Sequence, residues 1–434
     1  MYSTLLLFCL VLMASLFKDR CLRRGKVHIN PIFGLLVGTS YYVLLPCSVI
    51  AYFGEGLGEI TVYDSYLSLA NASSVMAFTV ALLAAVWLGT RLAAPKTGGR
   101  KGSGSLRRRS NPGIAADVGP YLMLGSFVLL LALAYSIRDS LFMGYDESVL
   151  ENDAVWSARG AMSSFYSLIY VSICAILLRS RGTPPARLRR AMLFVFLAAS
   201  IILLSLGARL YVAMALVSLL ALLSLLRDGI PATRLLLYLL GGGVVFGAVG
   251  VLRSGSLTGL ASVGLNIALE PLLTSISLFT LITDNPLILF GKPYMFPAEF
   301  QAVLPSFLFP GKAGLFQRLH EYGYVFESPV GGYHLYFSAL INFGIVGSVF
   351  LAVPCGLALG RLSGGQRTMR MSTAVTSVVL TGALTFTIFR DPFFISVVKN
   401  VFVMAILVPK VITSFTAFGS KKARTGIRHA CDAS

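Results

Sequence analysis

Long apolar runs broken by short polar links recur from the first residues to about position 416. A helix needs about 20 such residues to cross the hydrocarbon layer of a membrane. Runs of this length place the chain near 2–17, 29–53, 67–93, 118–137, 161–178, 191–207, 210–226, 235–252, 335–360, 372–389 and 393–415 as helices. Only 12% of residues are charged, against about 25% in a soluble domain. No water-soluble core absorbs that much apolar surface. The expected fold is all-α, a polytopic integral membrane protein with about 11 transmembrane helices and no separate soluble domain.

Charge orients the chain. Of 36 Lys and Arg, 27 fall in 18–26, 91–109, 179–190, 227–234, 361–370 and 410–428, which are alternate links. Positive residues are retained at the cytoplasmic side, so these links are cytoplasmic and the N-terminus lies outside. The acids run the other way, with 14 of 18 on the outer side or its helix ends. The formal net charge of +18 therefore reads as topology and as attraction to anionic headgroups, not as a nucleic-acid surface. The apolar run 2–17 is followed by KDRCLRRGK, the reverse of the order in a cleaved signal peptide, and is expected to stay as the first helix.

Segment 261–283 is apolar enough to cross but carries Glu270 followed by Pro271. A crossing there would invert every later link. The expectation is a re-entrant or interfacial helix inside one long periplasmic loop, 253–334. The stretch 94–115 reads as a basic cytoplasmic loop and 416–434 as a basic cytoplasmic tail. No GxxxxGK[ST] phosphate loop occurs, and GGGVVFG at 241–247 lies inside a helix, where small residues allow close packing. The six cysteines form neither a disulfide framework nor a CxxC pair.

Ionisable groups at membrane depth or at helix ends are costly and by default mark a site. On the outer side these are Arg209 in the tight turn of SLGARLYVAMAL, Arg253 closing a helix in VGVLRSGS, Glu270, Lys312, Arg318, His320, Glu321, His334 and the pair Arg390–Asp391. Each has a plainer reading: a snorkelling anchor, a structural ion pair, a solvated loop charge or a structural histidine. Arg and Lys beside the outer leaflet suit a phosphate-bearing lipid, because the guanidinium fork matches phosphate oxygens and stays charged when partly dehydrated. Tyr322, Tyr324, Tyr333 and Tyr336 are interface aromatics or sugar-stacking platforms. No pair of carboxylates and no histidine cluster has metal-ligand spacing.

These features occur in an order that resembles the O-antigen polymerase (Wzy-type) family. They are the Arg-bearing turn SLGARLYVAMAL, a helix ending VLRSG, then ALEPL, the loop VLPSFLFPGK and the Tyr-rich GGYHLYFSALINFGIVG. The similarity covers roughly 195–350, and the first half only in hydropathy. It implies a bacterial inner-membrane glycosyltransferase that joins undecaprenyl-pyrophosphate-linked repeat units at the periplasmic face, without a metal or other cofactor. The growing chain moves onto the new unit and undecaprenyl pyrophosphate leaves. The product would be O-antigen or a related exopolysaccharide, made beside membrane lipids, with a chain-length regulator protein as a further expected partner.

By matched position the resemblance carries over Arg209, Arg253, Glu270, Pro305, Pro310 and Lys312. Arg209, Arg253 and Lys312, with Arg318 and Arg390, would hold pyrophosphate. Tyr324 and Tyr336 would touch glycan. Glu270, Glu321 and His334 stand as alternative general bases. An O-antigen ligase-like transferase and a lipid-linked oligosaccharide flippase are competing readings.

Overall fold

The computed structural model describes residues 1–53, 66–93, 118–141, 153–254, 259–284, 290–291, 334–364, 369, 371–391 and 397–412. Almost all of these are helical. They comprise α1 (Tyr2–Leu16), α2 (Pro31–Thr39), α3 (Leu45–Phe53), α4 (Leu69–Leu92), α5 (Gly119–Ser136), α6 (Asp153–Arg179) and α7 (Ala186–Ser205). There follow α8 (Arg209–Leu226), α9 (Ala232–Ser254), α10 (Gly259–Asp284), α11 (Leu335–Gly364), α12 (Met371–Thr385) and the single turn α13 (Thr387–Arg390). Seven of the described helical stretches are long and apolar enough to cross a membrane: Pro31–Tyr52, Leu69–Leu92, Gly119–Ser136, Ala158–Arg179, Ala186–Ser205, Arg209–Leu226 and Leu335–Gly364. The protein is an all-α, multi-span membrane protein. The basic segment 94–115, the tail 416–434 and nearly all of 292–333 lie outside the described residues.

The chain forms two compact units. The first holds Met1–Gly98, Asp228–Gly364 and Ala383–Asn400; the second holds Gly99–Arg227, Gly365–Gly382 and Val401–Ser434.

In the first unit, one end is organised by Asn30. Its carboxamide oxygen accepts from the backbone N–H of Ile32 and Phe33 at 3.0 and 3.1 Å, satisfying donors that the first turn of α2 leaves unpaired. Pro31 then starts the helix where its missing N–H costs nothing. The Asn30 amide donates to the Arg20 carbonyl at 2.9 Å, and the Arg20 guanidinium donates to the Thr90 carbonyl near the end of α4. Arg91 pairs with Asp19 at 2.6 Å.

A three-stranded sheet closes the same end: Leu22–Arg23, Lys26–Val27 and Ile230–Pro231, antiparallel throughout. Its first hairpin turns on Arg24 and Gly25, both at positive φ, as a two-residue turn requires. Burial pushes the Cys21 thiol up to about 12 and holds the Arg20 guanidinium below its ordinary value.

The other end is marked by Asn71, whose amide donates to Thr283 Oγ1 at 2.6 Å. Helix α4 therefore runs from the Asn71 end to the Arg20 end. Helix α11 runs beside it in the same direction, since Phe78 meets Tyr336 and Gly356 sits against Val86. A Cβ at Gly89 would meet the Val353 carbonyl, and one at Gly356 the Val86 backbone. Small residues thus let these two backbones touch, the usual device for helices that have no hydrophobic drive in lipid. The Arg20 end carries Arg23, Lys26, Arg91, Arg234 and Arg361 as well, so the charge asymmetry of the sequence corresponds to one physical end of the unit.

In the second unit, α7 and α8 form a hairpin whose link turns at Gly207 (φ 69°), the tight turn expected beside Arg209. Tyr166 and Ser200 join α6 to α7 through a 2.9 Å hydroxyl pair. Ser218 lies against Gly382, where a Cβ would have no room.

Two expectations need correction. The helix expected over 372–389 is broken: α12 ends at Thr385, Phe386 leaves helical geometry (φ −132°, ψ −67°), and α13 adds only one turn. The helix expected over 393–415 is a wider π-helix over Val397–Leu407. Segment 261–283 lies within the 26-residue helix Gly259–Asp284, whose Thr283 end lies at the Asn71 end of the unit.

Candidate functional site

The polar centre of the first unit forms around Tyr42, midway along the span Pro31–Tyr52. Local chemistry explains why. Residue 46 is proline and has no N–H, so the α-helical donor to the Tyr42 carbonyl is missing. The helix widens to π geometry over Ser40–Leu44, and the freed carbonyl accepts from His334 Nε2 at 3.1 Å. On the other side of that ring, Nδ1 accepts from the backbone N–H of Tyr336 at 3.1 Å, capping α11. The His334 backbone N–H donates to Ser277 Oγ at 3.3 Å. These partners fix His334 as the neutral tautomer with hydrogen on Nε2.

The broken helix delivers charge to the same place. Arg390, at the end of α13, pairs with Glu270 on α10 through Nε and Oε1 at 3.4 Å, with only 18% and 11% of the side chains exposed. Asp391 follows in extended conformation. The break is seated against α2 at Gly38, whose missing Cβ leaves room for the Leu384 carbonyl and the Phe389 ring. Asn400 donates to Thr387 Oγ1 at 3.1 Å, tying the π-helix to the last turn. Irregular backbone at this depth is tolerated only where protein or a polar cavity covers it.

Aromatic rings pack against one another at the same break. Phe389 stacks on Tyr42 with centroids 5.9 Å apart and planes within 2°. Tyr336 and His334 meet Phe389 at 6.3 and 6.1 Å, and Tyr41 meets Phe386 edge-on at 6.1 Å. Such rings lower the local dielectric and strengthen every charge interaction beside them.

The structure brings Glu270, Arg390, His334 and Tyr336 together in one neighbourhood. Two of these differ from their expected roles. His334 is fully buried with both ring nitrogens occupied, so taking a proton would cost it the cap on α11; it is a structural clasp rather than an available base. Tyr336 is 4% exposed, edge-on to Phe78 and Phe389-facing, with its hydroxyl bonded to Thr79. It offers no ring face for a sugar to stack on.

Arg209 belongs to the second unit and opens α8. Beside it Arg159, from α6, donates to the Gly207 carbonyl of the same turn at 3.2 Å. Arg253 lies in the last turn of α9; its side chain, and the whole of Lys312, Arg318, His320, Glu321, Tyr322, Tyr324, Tyr333, Pro305 and Pro310, lie outside the described residues. Among the described residues no three His, Cys, Asp or Glu side chains gather as a metal site would need.

Sequence reasoning did not select Tyr42 or Arg159. The doublet Tyr41–Tyr42 in an apolar run, four residues before a proline, was the available signal for the first. Arg159 carried none beyond its charge.

Fold and site together define a helical membrane protein with a largely buried ion pair beside a broken helix. Searches against family models, curated proteins and solved structures each returned no match.

Proposed function

We propose that the chain is a membrane glycosyltransferase that polymerises undecaprenyl-pyrophosphate-linked oligosaccharide repeat units at the periplasmic face of a bacterial inner membrane. The product is O-antigen or a related surface polysaccharide. The full complement of about 11 crossings, with 253–334 on the outer side, belongs to this reading. The observation that carries it is the Glu270–Arg390 pair at the break after α12, where a carboxylate and a guanidinium meet within the bundle.

The chemistry requires both. The acceptor hydroxyl gives its proton to the Glu270 carboxylate as its oxygen attacks the anomeric carbon of the donor glycan. The bond from that carbon to the pyrophosphate oxygen breaks, and the electron pair leaves with undecaprenyl pyrophosphate. Arg390 stabilises the negative charge that develops there, an effect worth most where water is excluded. Pyrophosphate oxygens that draw Arg390 away free Glu270 for its task, which makes proton removal depend on a bound donor. Arg209, Arg253, Lys312 and Arg318 are proposed as further pyrophosphate ligands, Glu321 as the alternative base, and Tyr324 as a glycan contact.

Purified protein given synthetic undecaprenyl-pyrophosphate repeat units tests the reading. The expected result is a ladder of lengths, lowered at least about 100-fold by Glu270→Gln or Arg390→Ala, a usual loss for a general base or a charge-stabilising donor. No lengthening by the wild-type chain overturns it. A largely buried ion pair on a broken helix also favours a lipid-linked oligosaccharide flippase. That reading predicts movement of the labelled lipid across a proteoliposome membrane with its glycan length unchanged. Transfer to lipid A core in place of a ladder would mark a ligase-like enzyme.

A further inference from the structure

Tyr42 is held more firmly than its surroundings require. Its ring is stacked on Phe389, its carbonyl is bonded to His334, and the residue is fully buried. Yet the hydroxyl has no hydrogen-bond partner among the described residues. A buried hydroxyl left so loses its hydration with no return, and native structures rarely keep one without a reason. Thr274 and Ser363 also carry buried hydroxyls without a hydrogen-bond partner among the described residues, whereas Thr79 and Ser73 bond back to the Val75 and Leu69 carbonyls. The tyrosine ring is too rigid to do the same, and stacking fixes where its oxygen points.

The direction matters because Phe389, on which Tyr42 stacks, directly precedes Arg390 in the chain, and α10, which carries Glu270, packs against the 40–44 turn. The hydroxyl is thus a preset donor in the neighbourhood of the Glu270–Arg390 pair. We propose that Tyr42 is a substrate-binding residue of the Glu270–Arg390 centre, its hydroxyl donating to a phosphate oxygen of the lipid-linked substrate. This rests on the transferase reading and names a third group in that site. A neutral donor suits the position: it binds an anionic oxygen without adding a charge that Glu270 would capture. Phe389, as the ring that orients the phenol, is a positioning residue.

Tyr42→Phe keeps the ring, the stack and the carbonyl, and removes only the hydroxyl. The polymerisation assay with defined undecaprenyl-pyrophosphate units is read together with thermal unfolding of the detergent-solubilised full chain, with and without added undecaprenyl pyrophosphate. The expected result is a roughly tenfold or larger fall in kcat/KM, the usual loss of a hydrogen bond to a charged group. The apo unfolding temperature should be unchanged or higher, and the rise caused by undecaprenyl pyrophosphate smaller than in wild type. Wild-type kcat/KM and an undiminished rise from the lipid in Tyr42→Phe overturn this inference alone. Lower apo stability with unaltered lipid response also overturns it, since the hydroxyl then serves the fold. A wild-type chain that neither polymerises nor responds to the lipid removes the transferase reading and this inference with it.

Discussion

Glu270 and Arg390 stand far apart in the sequence and 3.4 Å apart in space, each mostly shielded from solvent. An ion pair in such surroundings is poor evidence for stability, because two dehydrated charges cost about as much as their attraction returns; what is costly is to strand one of them. Arg390→Ala leaves the Glu270 carboxylate without its guanidinium and is expected to destabilise the folded chain by about 3 kcal/mol. Adding Glu270→Ala should recover about half of that loss, since no lone charge is left behind. The measurement is a double-mutant cycle on unfolding in one detergent. A double variant destabilised by the sum of the two single variants would show that the two side chains do not meet. Both residues were legible in the sequence as ionisable groups in apolar context, but their partnership was not. Pairing depends on where α10 and the end of α13 pass, and nothing local to ALEPL or FRDP encodes it.

At the scale of elements, helix positions were readable because membrane thickness sets their length and charged links set their ends. The structure keeps those bounds within a few residues for α2–α3, α4, α5, α8 and α11. Irregularities were harder. The π-helical turn at Ser40–Leu44 had a signal in Pro46, whereas the break at Phe386 had none: LTFTIFR is uniformly helix-compatible, and tertiary contact with Gly38 and the 397–407 segment decides it. His334 as the cap of α11 was likewise hidden, since capping by a ring nitrogen follows from the neighbour that holds its other nitrogen. The α4–α11 contact is the strongest element-level claim. Because the backbones meet at Gly89, Gly356 and Gly360, Gly356→Leu must separate the helices and should cost about 1–3 kcal/mol or more, as overpacking does. Gly125→Leu, on α5 where a Cβ meets nothing within 4 Å, is the matched control and should change the unfolding temperature little. Equal effects from both would mean that the helices do not touch through their glycines.

For the whole molecule, the question is which end of the first unit faces which side of the membrane. Two contacts define the ends without reference to charge: Asn71 with Thr283 at one, and Arg20 with Thr90 at the other. Basic residues gather at the Arg20 end, and under the proposed orientation positive-inside bias would place that end at the cytoplasm. The same contacts bear on α10. A crossing at 261–283 was rejected in the sequence because it would invert the later links; a Thr283 beside Asn71 returns the chain to the outer end without inversion. Cysteine substitution tests this in cells. Cys21 is buried with its thiol weakly acidic, so it is a silent background site; Cys355 and Cys431 are first replaced by serine. A membrane-impermeant maleimide should label Thr283→Cys from outside intact spheroplasts and Arg23→Cys only after permeabilisation. Labelling of Thr283→Cys only from within would reverse the unit, and it would put the Glu270–Arg390 centre out of reach of a donor lipid presented at the outer leaflet.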